Sequence, residues 1–264
     1  MFDIYNFLTY LNTHERETSY SKIILYLLTH TEEVPKLTIS EIAQQCYVSP
    51  ATLTRFSRHF QFDSFASLRK ALTALISLSP YNALRMNTVQ FQLLKEEPES
   101  YLKNYSEEIT TAVQDVLQTI DIRVIDELLQ EIHNASTVVL IGYSATLELA
   151  KDIQTSLLSS KKVVFLGETE DLQQKLITSL DKQSVIIVIS SYGTLLTKSP
   201  ELVQMISQSP AKSVFITQNT KNMLTNQFSQ TIHVTTENYV QIGTYPLTFF
   251  FDYFTRRYAA LYGS

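Results

Sequence analysis

Residues 37–65 read LTISEIAQQCYVSPATLTRFSRHFQFDSF, and this stretch decides the fold of the N-terminal part of the chain. Ile39, Ile42 and Ala43 recur at helical spacing, Cys46 closes the same face, and Thr38 and Ser40 are both suited to cap so short a helix. A turn at Tyr47-Val48 follows. Ser49-Pro50 then starts a second helix, because the serine oxygen accepts an orphan backbone N–H and proline loses nothing at the first helical position. That helix is expected to run roughly to Phe60 and to bury Leu53 and Phe56. It leaves Ser49, Ala51, Thr52, Thr54, Arg55 and Arg58 facing outward. Two short helices about a tight turn make a helix-turn-helix. Small residues at the start of the second helix permit close approach to a major groove, hydroxyls bond phosphates or base edges, and arginine bonds either strongly. Duplex DNA is the expected partner, with these six residues as the contacts; the bland alternative makes Arg55 and Arg58 an ordinary solvated face.

Outward from this motif, residues 1–80 read as helical throughout and form the expected DNA-binding domain. Met1 to Leu11 is an amphipathic start. A helix beginning at Ser21 turns Ile23, Ile24, Tyr26, Leu27 and Leu28 toward a core. A closing helix from Phe65 to Leu78 places Phe65, Leu68, Leu72 and Ile76 on one stripe, and Pro80 ends it. Residues 81–105 read as a linker, with the charged, proline-broken KEEPES at 95–100.

The texture changes beyond it, in an expected second domain of residues 106–264. Helical patterns cover 101–118 and 121–133, the second capped by Asp121. Five short apolar runs then alternate with helical spacing: TVVLIG (137–142), KVVFLG (162–167), SVIIVIS (184–190), KSVFIT (212–217) and TIHVT (231–235). Continuous valine and isoleucine without alternation marks strands buried on both faces of a parallel sheet. The expected fold class is thus an all-α helix-turn-helix domain followed by a doubly wound α/β domain with a five-stranded parallel sheet. Such sheets bind ligands beyond the carboxyl ends of their strands. There, Gly142-Tyr143-Ser144-Ala145-Thr146 follows the first strand and Ser190-Ser191-Tyr192-Gly193-Thr194-Leu195 the third. Small hydroxyl residues opening into helix N-termini suit phosphate, through backbone N–H groups and the helix dipole. The same serines and threonines also serve as plain loop and cap residues. The helix after the third strand is expected to start late, at Ser199-Pro200, leaving 193–198 as a loop.

Composition narrows the function classes. The chain has 264 residues, 44% of them hydrophobic, and a net charge of −5. Residues 1–80 hold seven acidic and seven basic side chains, whereas 48–80 set Arg55, Arg58, Arg69 and Lys70 against Asp63 alone. A weakly basic reading surface on an acidic body calls for a dimer to bind DNA specifically. The single cysteine, Cys46, excludes an intramolecular disulfide framework and fits a reducing cytoplasm as a small buried residue. The N-terminus has no basic start, and the apolar run 246–251 is too short to span a bilayer. No metal-ligand spacing links His14, His30, His59, His133 and His233, so neither metal nor cofactor is expected, and the localisation is expected to be cytoplasmic.

Ile42-Ala43, the run Val48 to Phe56, Phe62 to Phe65, and Leu68-Arg69-Lys70 together resemble the N-terminal domain of RpiR-type bacterial transcription regulators. The later loops resemble those of a sugar-isomerase (SIS) domain, the usual C-terminal partner in that family, so the resemblance spans essentially the whole chain. It implies a regulator, of carbohydrate-metabolism genes in particular, that answers to a phosphorylated sugar and acts as a homodimer or tetramer. The family usually has glycine at the positions of Tyr47 and Gln61, at helix ends where glycine tolerates a left-handed backbone, so modest strain is expected there. Of the family's Gly-x-Gly-x-Ser loop, Gly142 matches, Ser144 replaces the second glycine and Thr146 the serine. Of its Ser-x-Ser-Gly-x-Thr loop, Ser190 and Gly193 match, while Tyr192 and Leu195 stand where a serine and a threonine are usual. The implied effector residues are Ser144, Thr146, Ser190, Ser191, Gly193 and Thr194. The aromatic segment Phe249 to Tyr262 is a candidate interface or core stripe. Two other readings stand beside this one: a ligand-independent regulator with a vestigial pocket, and a sugar-phosphate isomerase whose base would be Glu168, Glu170 or Glu237. None of these glutamates sits in a recognisable motif, so no catalytic residue is expected.

Overall fold

The computed structural model describes residues 4–76, 85–219 and 225–263. The chain divides into two compact units, Met1–Leu84 and Arg85–Ser264.

The first unit is helical: α1 (Ile4–Thr13), α2 (Ser19–Thr29), α3 (Ile39–Gln45), α4 (Pro50–His59) and α5 (Phe65–Ile76). Its core gathers Phe7, Ile23, Ile24, Leu27, Ile42, Ala43, Leu53, Phe56, Phe65, Leu68 and Leu72, all buried. Each such side chain contributes about 1.5–3 kcal/mol relative to exposure. Helix α2 begins before Ser21: Thr18 caps it by accepting from the Ser21 amide, and the Ser21 hydroxyl is buried, donating to the Glu15 carbonyl at 2.8 Å. Thr38, not Ser40, caps α3, in a capping box with Glu41. The expected positions of Leu78 and Pro80, and the side chain of Ile76, lie outside the described residues.

The second unit runs α6 (Thr88–Glu96), α7 (Pro98–Thr119), α8 (Ile122–Asn134), β1 (Thr137–Ile141), α9 (Ala145–Ser159), β2 (Phe165–Leu166), α10 (Glu170–Thr178), β3 (Ser184–Ile189), α11 (Thr194–Lys198), α12 (Pro200–Gln208), β4 (Lys212–Thr217), β5 (Gln230–His233) and α13 (Tyr245–Tyr262). The five strands are parallel in the order β2-β1-β3-β4-β5. Successive side chains point to opposite faces. Val138, Leu140, Ile187, Ile189, Val214 and Ile216 pack against α8, α9 and α13. Val139, Ile141, Ile186, Val188 and Phe215 pack with residues of α10 to α12. The strand order reverses between β1 and β3, so their carboxyl ends, neighbours in register from Thr137 with Ser184 to Ile141 with Val188, flank the crevice of the sheet.

Three expectations need correction. The stretch 81–105 is helical from Thr88 onward: Asn87 caps α6 in a capping box with Gln90, and Pro98 opens α7. The run 162–167 contributes only Phe165–Leu166 to the sheet, as an edge strand with Val163 and Phe165 exposed. The residues after Gly193 are not a loop but the short helix α11. The aromatic stripe of α13 proves to be core, since Leu247, Phe250, Phe251, Phe254 and Tyr258 are all buried.

Candidate DNA-reading helix and effector cleft

In the first unit, α4 presents the expected face. Ser49, Ala51, Arg55 and Arg58 are exposed, and Thr52 and Thr54 are half-buried. The hydroxyls have local tasks. Ser49 caps the helix, its Oγ accepting from the Thr52 amide at 3.1 Å. Thr54 donates back to the Pro50 carbonyl at 3.2 Å. Arg55 leans on the Thr52 hydroxyl at 3.4 Å. Ala51, Arg55 and Arg58 are therefore the side chains of this helix left clear to meet an outside partner, beside an N-terminus whose dipole favours phosphate. Burial pushes the Cys46 thiol up to about 11, so it is a packed, neutral residue.

Tyr47 and Gln61, which flank α4, both have the left-handed backbone that the glycine resemblance implies, at φ 55° and 62°. Ser144 stands in a third such place, at φ 57° and ψ −126°. The left-handed backbone costs about 1–2 kcal/mol at Tyr47 and at Gln61, and the sparser region occupied by Ser144 costs about 1–3 kcal/mol. Tyr47 is also 92% exposed, so none of the described residues covers the ring.

In the second unit, the loops after β1 and β3 come together as expected, but their side chains are largely spoken for. Thr146 both accepts from the Tyr143 amide and donates to the Tyr143 carbonyl, each at 3.0 Å. Gly142 is required by the same turn, since a Cβ there would lie 2.7 Å from the Thr146 carbonyl oxygen. Ser190 and Ser191 are buried at the end of β3, and the Thr217 hydroxyl donates to the Ser190 carbonyl at 2.6 Å. Gly193 adopts φ 73° as the residue before α11. Thr194 opens α11; its side chain lies outside what is described. Leu195 turns inward and is 1% exposed in the core, so it does not face the crevice.

Tyr192 is the decisive departure. Its hydroxyl donates toward the carbonyls of Tyr239, Val240 and Gly243, at 3.3, 3.1 and 2.7 Å. Burial pushes its pKa up to about 12, so it stays a neutral donor. Asn219 donates to the Tyr192 carbonyl at 2.9 Å, and Gln218 donates to the Gly243 carbonyl at 2.7 Å. Two cations lie on aromatic faces here, Arg85 over Tyr192 at 5.2 Å and Lys198 over Tyr143 at 4.9 Å. The residues 236–237 are held from below by Asp115 of α7, which accepts from the Thr236 amide and hydroxyl, the Glu237 amide and Thr119. Burial opposes the Asp115 charge, but these hydrogen bonds outweigh it and hold the carboxyl below its ordinary value.

Arg85, Gln173, Thr217, Gln218 and Asn219 carry no motif and were not marked by the sequence. Gln173 braces two strand ends, donating to the carbonyls of Gly142 and Gly167 at 2.9 Å each. Its only sequence signal is a polar residue on the inward face of α10. The glutamates considered as bases do not converge. Glu168 and Glu170 follow β2 and Glu237 follows β5, the two opposite edges of the sheet. Glu168 pairs with Lys151 at 3.4 Å, and Glu170 accepts from Ser199 at 3.0 Å.

The helix-turn-helix domain of the rpiR family matches residues 5–79, and the SIS domain matches residues 131–255. An HTH-type transcriptional regulator from the aarA 3' region of Providencia stuartii is 22% identical over 70% of this chain, a match spanning 63% of that protein's length. The HTH-type transcriptional regulator YbbH of Bacillus subtilis is 25% identical over 83% of this chain and 72% of its own length. Among solved structures, the Vibrio vulnificus NanR protein complexed with ManNAc-6P covers 98% of this chain and 92% of its own, with a TM-score of 0.51 at 14% identity. That likeness is one of fold. No helix among the described residues is long and apolar enough to cross a membrane.

Proposed function

The chain belongs to the RpiR-type family of helix-turn-helix regulators with a C-terminal SIS domain, and from that membership we propose that it binds duplex DNA and changes that binding in response to a phosphorylated sugar. The observation that carries the DNA half is α4: a capped helix whose outward side chains are Ala51, Arg55 and Arg58, with Ser49, Thr52 and Thr54 around its N-terminus. Set in a major groove, the arginines read base edges or phosphates and the hydroxyls approach the backbone. The regulated genes are those of carbohydrate metabolism in this reading. The test is binding of full-length protein to its own upstream region, with and without a panel of sugar phosphates.

The regulator works as a two-fold oligomer, which sets paired recognition helices at half-sites roughly 34 Å apart. The buried stripe of α13 belongs to the core, which leaves the outer face of that helix and other surfaces for the interface. Leu158, Val163, Phe165 and Leu172, around the edge strand β2, are each about half exposed and supply apolar surface for it.

The effector half is a cleft at the carboxyl ends of β1 and β3, with Ser144, Thr146, Ser190, Ser191, Gly193 and Thr194 around it. The committed state of Thr146 and the ring of Tyr192 favour a second reading, a regulator whose cleft is vestigial and whose α/β unit only dimerises. A thermal-shift screen with phosphosugars separates the two: stabilisation supports the effector reading, and none across the panel supports the second. The separation of Glu168 and Glu170 from Glu237 across the sheet argues against isomerase chemistry, which needs a base positioned on the substrate.

A further inference from the structure

Arg85 is the residue at which the second unit begins, and its side chain reaches the cleft. Its guanidinium lies 5.2 Å from the centre of the Tyr192 ring. It also lies against Gly243, where an added Cβ would come within 2.9 Å of Nη1. The cation is therefore lodged between the loop after β3 and the segment leading into α13. Among the described residues no carboxylate pairs with it. A cation held only on an aromatic face is weakly held where water has access, and a bidentate phosphate is a stronger partner.

A second observation marks the same place. Gln218, at the end of β4, is fully buried, and among the described residues its Oε1 meets no donor, although its Nε2 bonds the Gly243 carbonyl that Tyr192 also bonds. A buried acceptor without a donor is uncommon and costly. A donor brought to it, such as a ligand hydroxyl, would relieve that cost. An unmet acceptor whose amide shares the Gly243 carbonyl with Tyr192, and a weakly held cation over the Tyr192 ring, would suit a ligand that carries hydroxyls and an anionic group. At Tyr192 the hydroxyl is turned to backbone carbonyls and away from a ligand, and Arg85 is a cation beside it from outside the loop.

We propose that Arg85 is the anion-binding residue of this cleft, holding the phosphate of a sugar-phosphate effector whose hydroxyls satisfy Gln218. The proposal rests on the effector reading above.

The experiment is calorimetric titration of the full chain with hexose 6-phosphates and N-acetylhexosamine 6-phosphates, with the unphosphorylated sugars and inorganic phosphate as separate arms. Arg85→Gln should weaken phosphosugar binding roughly tenfold to a hundredfold, the loss of one charged hydrogen-bonding partner. Arg85→Lys should recover part of it, and binding of the unphosphorylated sugar should not change. Inorganic phosphate binding that falls in the same way supports the anion contact. If the native chain binds a phosphosugar and Arg85→Gln binds it equally well, the proposal fails while the effector reading stands. If the native chain binds no phosphosugar and no phosphate, the effector reading fails and takes the proposal with it.

Discussion

The Tyr192 hydroxyl lies 2.7 Å from the carbonyl oxygen of Gly243, which joins the loop after β3 to the segment that enters α13. The single hydroxyl hydrogen of Tyr192 is committed to backbone, most closely to this carbonyl, with those of Val240 and Tyr239 farther off. Removing the hydroxyl with Tyr192→Phe should lower the unfolding free energy by about 1–2 kcal/mol, read from urea denaturation. Tyr192→Ser should clear the ring and tighten phosphosugar binding in a titration. A weaker affinity in that variant would make the ring part of the site. Restoring threonine at Leu195 should not help, because that side chain is buried in the core and a hydroxyl there costs about 1–3 kcal/mol.

For the DNA-reading helix, Arg55→Ala and Arg58→Ala should each reduce operator affinity by about 1–3 kcal/mol where the arginine meets a base, and relax sequence preference at that position. Fluorescence anisotropy at physiological salt measures this. Unchanged affinity in the double variant would mean that α4 is not the docking element.

The left-handed residues should respond to glycine. Tyr47→Gly, Gln61→Gly and Ser144→Gly each relieve backbone strain, offset in part by the greater freedom of the unfolded chain, for a net gain of about 0.5–1 kcal/mol. Ser144 should gain most, because its ψ of −126° lies outside the left-handed helical basin as well. Calorimetric melting of each variant decides it.

Asp115 should shape the acid limb of stability. Its carboxyl is held below the ordinary value when folded, so its contribution is present above its unfolded pKa, about 3.9, and is lost as pH falls through the lower folded value. Asp115→Asn should lower stability at pH 7 and flatten the decline below about pH 4. Asp115→Ala should cost about 1.5–3 kcal/mol at neutral pH. Denaturation curves from pH 2 to 7 give both numbers.

Phe165→Glu places a charge on the exposed edge of the sheet, where Val163 is also exposed. If this edge holds two copies together, sedimentation should show the native oligomer reduced to monomer, with α/β-unit melting unchanged.

The sequence was most legible where structure is local. Caps at Thr38, Ser49 and Asp121 and the continuous apolar runs of β1, β3 and β4 depend on neighbours within a few residues or on burial on both faces. The run at 162–167 misled because an edge strand pairs on one side only, and its apolar residues point partly to water. Helix α6 was hidden behind the charges of 95–100, although Asn87 and Gln90 had the capping-box spacing. The cleft was legible in its loops and not in its contents. Whether Tyr192 faces ligand or backbone depends on residues 239–243, and whether a cation is present depends on Arg85, both remote in sequence and without a periodic signal.

Among the described residues, the core of the first unit reaches no further along the chain than Leu72, whereas the larger core of the second awaits Phe250, Phe251, Phe254 and Tyr258 in the last helix. During synthesis the reading head can therefore fold while the sheet still lacks its final strand and the α13 part of the layer that covers one face. Until residues 230–262 leave the ribosome, the outer edge of β4 is unpaired and the apolar face beneath α13 is bare, a state prone to wrong pairing. Truncations that remove α13 should accordingly yield a soluble head attached to an aggregating body.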